Sequence, residues 1–413
     1  MNVTRIGTPY LFVVLGMLAL ADCTKPYDRP VVEEPPLPMA ATFPGFKDFF
    51  SDTAPLRVFW THGMCTHKLT WVENRSTILA TALGVKDTPA ATPPASPPGR
   101  PYTVSRSFNA PGGTVEVSFF VWSPMTTPYK DTLRFDAPPT KDEPPPGGKF
   151  PHDRASLNNA LKVGLMNDCL TDAVVYSGSN GEPIRVAMRE AVCAALGGTL
   201  RPPADCELSD ARAAGPMVFV TESLGSKFLF DAVRAIWDAA GAKSPTAQGV
   251  LAARLAEVQM LYMLANQIPI LDQANPVGGF GPTAAGEATA PDRSSLAGFA
   301  RIISAARREA PEEAAIAVPS GEILKPLTVV GFSDPNDILS YRLLPSGLGV
   351  EGARLVNVLV SNDWTYLGLV ELPDVAHCGY GQNPHVIGLL VEGYDGPGTM
   401  PTGPVAPGGA CDR

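Results

Sequence analysis

Apolar positions along the chain fall into short runs and helical stripes, and the two patterns take turns. Leu56-Arg-Val-Phe-Trp-Thr61 is nearly continuous, while Thr114-Val-Glu-Val-Ser-Phe-Phe-Val-Trp122 alternates and is rich in β-branched and aromatic residues; both predict strands. Pro216–Thr221, Met260–Leu264, Leu327–Phe332 and Leu355–Val360 read as buried strands, and Asp172–Tyr176 as a short one. Helical patterning covers Ser156–Leu165, Pro183–Leu196, Leu224–Ala239 and Pro384–Val391. Strands alternating with helices predict an α/β fold with a mostly parallel sheet covered on both faces. No repeat of fixed period is present, which argues against solenoids and propellers.

The first apolar run behaves differently. Tyr10–Ala21 follows the single charge of Arg5, is too short to span a bilayer, and has the proportions of a signal-peptide core. Residues 1–22 are therefore expected to be removed on export. Two processing sites compete: Ala19-Leu20-Ala21 is an A-x-A site, whereas Leu20-Ala21-Asp22-Cys23 resembles a bacterial lipobox with Asp22 where a small residue is usual. The mature protein is thus either a lipoprotein anchored in the outer membrane or at the cell surface through a lipid on Cys23, or a simply secreted or periplasmic chain.

Composition then divides the remainder. The 413 residues include 43 prolines and 39 glycines, and much of that excess is clustered. Residues 23–44 read as a Pro-rich tether, 45–395 as one domain with insertions at 86–150 and 240–325, and 396–413 as a Gly/Pro-rich tail. A net charge of −9 supplies no basic field, so nucleic acid is not an expected partner. Lipidation of Cys23 leaves six of the seven cysteines, an even number suited to an oxidising compartment. Cys193 and Cys206 flank a short Gly/Pro loop and form a natural bridge, while Cys378 is assigned to Cys65 or Cys411.

Four stretches carry candidate chemistry. In Val218-Phe-Val-Thr-Glu-Ser-Leu-Gly-Ser226 an apolar strand meets a tight turn and then a helix, with Ser223 on the turn. This is similar to the nucleophile elbow G-x-S-x-G of the α/β-hydrolases, with Thr221 replacing the first glycine and Gly225 keeping the second. Thr221 is expected to crowd the following helix, and the bland role for Ser223 is a helix N-cap. In Val58-Phe-Trp-Thr-His-Gly-Met-Cys-Thr-His67 a strand ends in His-Gly, resembling the oxyanion loop of lipases and esterases. His62, Cys65 and His67 are also able metal ligands, but at no recognisable zinc spacing. Asn336-Asp337-Ile338-Leu339 looks like the stretch bearing the acid of class 3 lipases, with Asp334 in reserve. His377 stands in a loop before the last helix, where α/β-hydrolases keep their base, and fits that role better than His385.

Order along the chain links these signals, because Ser223, Asp337 and His377 follow the Ser…Asp…His succession of α/β-hydrolases. The resemblance implies an exported lipase- or esterase-type serine hydrolase. Ser223 would attack, Asp337 orient His377, and the Met64 and Leu224 amides bind the oxyanion. A small-molecule or lipid ester is the implied substrate, with no cofactor and no metal. A non-catalytic cell-surface binding lipoprotein on a degenerate hydrolase fold is the alternative, encouraged by Thr221 and the proline-rich segments.

Overall fold

The computed structural model describes residues 24–34, 41–87, 99–138, 152–208, 215–274, 294–309, 326–343, 348–366, 369–398 and 400–404. The expected signal peptide, Cys23 and Cys411 lie outside them. Eight strands form one sheet in the order β1-β10-β9-β8-β7-β2-β4-β3. They are β1 (Val31–Glu33), β2 (Leu56–Thr61), β3 (Tyr102–Ala110), β4 (Gly113–Val121), β7 (Met217–Glu222), β8 (Val258–Leu264), β9 (Leu327–Ser333) and β10 (Ala353–Leu359). The six inner strands run parallel, while β1 and β3 close the two edges antiparallel. The protein is therefore an α/β fold with a mixed, mostly parallel sheet.

Both faces of the sheet are packed, which is why the inner strands read as unbroken apolar runs. Every residue of β8 and β9 is buried. On one face, Phe219, Leu261 and Val329 meet helices α5 (Glu182–Ala195), α6 (Gly225–Lys243), α7 (Pro245–Ala256) and α9 (Ser295–Glu309). On the other, Val220, Tyr262 and Val330 meet α1 (Leu69–Ala82) and α11 (Pro384–Glu392). Between these lie α2 (Thr127–Asp131), α3 (Ser156–Ala160), α4 (Thr171–Ser177), α8 (Ile268–Leu271) and α10 (Pro373–Cys378). A small ribbon, β5 (Gly198–Arg201) with β6 (Asp205–Leu208), stands apart from the sheet.

Register places the chemistry. Thr61 pairs with Thr221, Glu222 with Leu264, Leu264 with Phe332, and Ser333 with Leu359, so the carboxyl ends of five strands finish level at one edge. After β2 the sheet grows toward β4 and β3, and after β7 it grows the other way, toward β8. Connections that part in opposite directions leave a crevice outside the strand ends, the usual ligand position in open α/β sheets. The His-Gly loop and the Ser223 turn both open into it.

Several segments differ from expectation. Asp172–Tyr176 lies in helix α4, which continues α3 through a π-helical stretch, Leu161–Leu170. Its four apolar residues, Ala173–Tyr176, fit a helix as well as a strand, and here Val174 is exposed while Val175 and Tyr176 are buried. Residues read as a tether supply edge strand β1. Within segment 86–150 the expected strand is β4, with β3 paired beside it, and within segment 240–325 the expected strand is β8, accompanied by α7, α8 and α9. The expected Cys193–Cys206 bridge is present, but Cys65 pairs with Cys169 and not with Cys378. Cys378 is itself disulfide-bonded. These bridges fit an oxidising, extracytoplasmic location. Among the described residues no helix is long and apolar enough to cross a membrane.

Candidate active site

The turn after β7 holds Ser223 in the left-handed region at φ 52°. A non-glycine residue held there costs on the order of 1–3 kcal/mol, a cost met when the surroundings over-determine the turn. Ser223 N–H donates to the Leu264 carbonyl at 2.7 Å, fastening the turn to the end of β8. Thr221 does not crowd the helix as expected. Its hydroxyl lies 2.8 Å from that of Ser226 and donates to the Tyr262 carbonyl at 3.3 Å, so a small polar partner one turn on accommodates the β-branched residue. Gly225 is sterically required, since a Cβ there would stand 2.6 Å from the His62 carbonyl oxygen.

The loop after β2 meets this turn through a second close approach. A Cβ on Gly63 would lie 2.5 Å from Ser223 Cβ, so only glycine lets the His-Gly loop pass. His62 is wholly buried, stacked between His67 and Trp122 with ring centroids 4.3 and 4.8 Å away. Its Nε2 accepts the Trp122 N–H at 3.1 Å, which leaves the proton on Nδ1 to donate to the Gly63 carbonyl at 2.8 Å. Burial, with His67 adding to it, holds its pKa well below the usual histidine value, so the ring is neutral and structural. Both ring nitrogens are engaged and Cys65 is in a disulfide, so this trio does not serve as a metal site.

The acid and base arrive from the other half of the sheet. Asp337 follows β9, and His377 sits on α10 rather than in a loop. His377 Nε2 lies 3.1 Å from Ser223 Oγ, while its Nδ1 faces the Asp337 carboxylate at 2.9 and 3.0 Å. An Nδ1–H donating to Asp337 leaves Nε2 free to accept the Ser223 proton. Asp337 also accepts from the Tyr380 hydroxyl at 3.1 Å and the Leu339 N–H at 3.0 Å. The reserve acid, Asp334, is placed elsewhere: it accepts the Asn336 and Asn362 N–H groups at 2.9 and 2.6 Å and bonds neither Ser223 nor His377. His385 faces the Pro401 carbonyl at 3.3 Å, away from the site.

Met64 and Leu224 flank the serine. Both are buried, and among the described residues neither backbone N–H is committed to a hydrogen bond. Leu224 precedes α6, so its free N–H is one of the unsatisfied donors every helix start presents. Met64, Gly63, Glu222, Ser223, His377 and Tyr380 line a cavity of about 20 Å³, room for about one water molecule.

Three contributors left no mark in the sequence. Tyr380 bridges the acid loop, accepting the Asp334 N–H at 2.7 Å while donating to Asp337. Glu222, beside the serine, accepts from Arg75 Nε at 3.1 Å and Trp60 Nε1 at 3.0 Å. Burial pushes its pKa up, but Arg75, His67 and Trp60 outweigh that and hold it below the usual value. Arg75 packs on Gly381, where a Cβ would fall 2.2 Å from its Nε, and so joins the serine side to the histidine side. Only the three-dimensional pairing reveals these groups. A scan against protein-family models and a search of curated proteins each found no match.

Proposed function

We propose that the protein is an exported serine hydrolase of the α/β-hydrolase kind, cleaving carboxylic esters through Ser223, His377 and Asp337. The observation that carries this reading is the continuous relay from Ser223 Oγ to His377 Nε2 at 3.1 Å and from Nδ1 to Asp337 at 2.9 Å. The three residues come from the segments that follow three different strands, β7, β9 and β10. The two uncommitted amides beside the serine support it independently, since an oxyanion hole needs free donors.

In this mechanism His377 Nε2 takes the proton of Ser223 as its oxygen attacks the acyl carbon. Asp337 holds the imidazole in the productive tautomer and stabilises its cation. The negative charge on the former carbonyl oxygen meets the Met64 and Leu224 N–H groups, each contributing on the order of 3 kcal/mol in such sites. His377 returns its proton to the leaving alcohol, and water then releases the acyl group by the same steps in reverse. Export by secretion or as a lipid-anchored Cys23 form both suit this activity.

A fluorophosphonate probe tests the reading. Labelling of native protein that disappears in Ser223→Ala is expected. Folded wild-type protein that takes no label returns the chain to the binding-protein alternative.

A further inference from the structure

Beyond Met64, the oxyanion loop is held by an assembly that the triad does not use. Cys65 is left-handed at φ 79°, an uncommon conformation for a residue with a Cβ. Its N–H donates to Asp172 Oδ2 at 2.8 Å, and its sulfur is bonded to Cys169. Thr66 is gripped next: its N–H donates to Asp168 Oδ2 at 3.2 Å, and its hydroxyl donates to Oδ1 of the same carboxylate. Lys130 Nζ sits among them, 2.9 Å from Asp172, 3.1 Å from Asp168 and 3.1 Å from Thr66 Oγ1. Asp172 is fully buried and Lys130 is 8% exposed.

Stability does not explain such a cluster. Burying an ion pair costs several kcal/mol of desolvation per ion, and apolar residues of similar volume are often as stabilising. Burial raises Asp172 to about 6 even though Lys130 and Thr126 oppose the shift, so its ionised form at neutral pH is held at a cost. What the cluster does is local. All of its bonds to the loop fall on Cys65 and Thr66, directly after the proposed donor, and Asp172 takes up the Cys65 amide while the Met64 amide stays uncommitted.

We infer that Asp172 is a positioning residue for the oxyanion hole: by accepting the Cys65 N–H it holds the strained loop in the one geometry that leaves Met64 N–H free beside Ser223. The inference rests on the acyl-transfer reading. Without Asp172, Cys65 can relax toward ordinary φ, turning the peptide next to Met64 and carrying the donor off its target. The Cys65–Cys169 bridge restrains the same residue from the sulfur side but cannot set the direction of its N–H.

The test uses the full chain and three variants. Asp172→Ala removes the acceptor and leaves Lys130 paired with Asp168 alone; Lys130→Met combined with Asp172→Leu removes the buried pair and protects folding. Asp172→Asn keeps an oxygen for the Cys65 N–H. The first two are expected to lower kcat on a chromogenic ester by about 100-fold with KM within threefold, the size of one lost oxyanion donor. Affinity for a trifluoromethyl ketone, which mimics the tetrahedral adduct, is expected to fall by the same factor. Asp172→Asn is expected to recover most of the loss. A folded double variant with kcat within threefold of wild type overturns the inference alone. A loss confined to KM, or one in which ketone affinity is untouched, also overturns it. Wild type that forms no adduct and cleaves no ester overturns the acyl-transfer reading and this inference with it.

Discussion

The two halves of the site are held in different ways. On the serine side, the loops after β2 and β7 are fixed by close backbone approach at Gly63 and Gly225 and by the Cys65–Cys169 bridge. On the acid–base side, the loops after β9 and β10 are fixed by side-chain hydrogen bonds: Asn336 to Glu371, Asn362 to the Ala376 carbonyl, and Tyr380 to Asp337. Steric contact defines a position with little tolerance, whereas hydrogen bonds that include a carboxylate, as at Glu371 and Asp337, define one that depends on protonation. The turn of the serine is therefore expected to be most sensitive to added volume, the β2 loop beyond Met64 to loss of Asp172, and the acid–base side to changes of charge and pH.

Charge change on the acid–base side gives the largest expected effect. Asp337→Asn keeps the shape but favours the wrong imidazole tautomer, and kcat is expected to fall by about 10⁴-fold with little change in melting temperature. A loss under tenfold would place the orienting acid elsewhere and erase the contrast. Added volume comes next. Gly63→Ala sets a methyl 2.5 Å from Ser223 Cβ and is expected to lower kcat by about 10²–10³-fold, with the fluorophosphonate rate falling in parallel. If Gly63→Ala keeps full activity, the serine side is more pliant than its contacts imply. Tyr380→Phe removes one neutral donor to Asp337 and is expected to cost about tenfold in kcat/KM.

The smallest effect sharpens the pH side of the comparison. Burial, and then the charge of Asp334, raises Glu371 from 4.5 to about 7. A raised carboxyl favours its protonated form in the fold, so its stabilising contribution is present at low pH and lost as pH rises through about 7. Between pH 6 and pH 8 wild type is expected to lose about 2 °C more in Tm than Glu371→Gln, which mimics the protonated state. Equal losses would show that this carboxyl does not loosen the acid–base side.

The same division governs what the sequence discloses. Strands β2 and β7 to β10 are legible because burial on both faces leaves unbroken apolar runs. Ser223 and Asp337 stand out by their places after buried strands, His377 by its place before the last helix, and all three by their order, and the structure brings them together. Helix α4 misleads because Asp172–Tyr176 is too short for its period to show. Thr221 looks unfit until Ser226 is seen beside it, and Glu222–Arg75, Tyr380 and Cys65–Cys169 join residues far apart in the chain, where no local pattern records the pairing.

Strand β1 has a consequence outside the site. A parallel sheet ending at β10 would offer a long row of open N–H and carbonyl groups to any neighbouring chain, a template for self-association. Val31–Glu33 covers that row with an antiparallel strand only three residues long, and Glu33 is ion-paired to Arg342 at its side. At the opposite margin β3 alternates, with Thr103, Ser105 and Ser107 exposed to solvent. Among the described residues each margin thus ends in a strand that is either short or polar on its outward-facing positions, features that blunt edge-to-edge pairing with another chain.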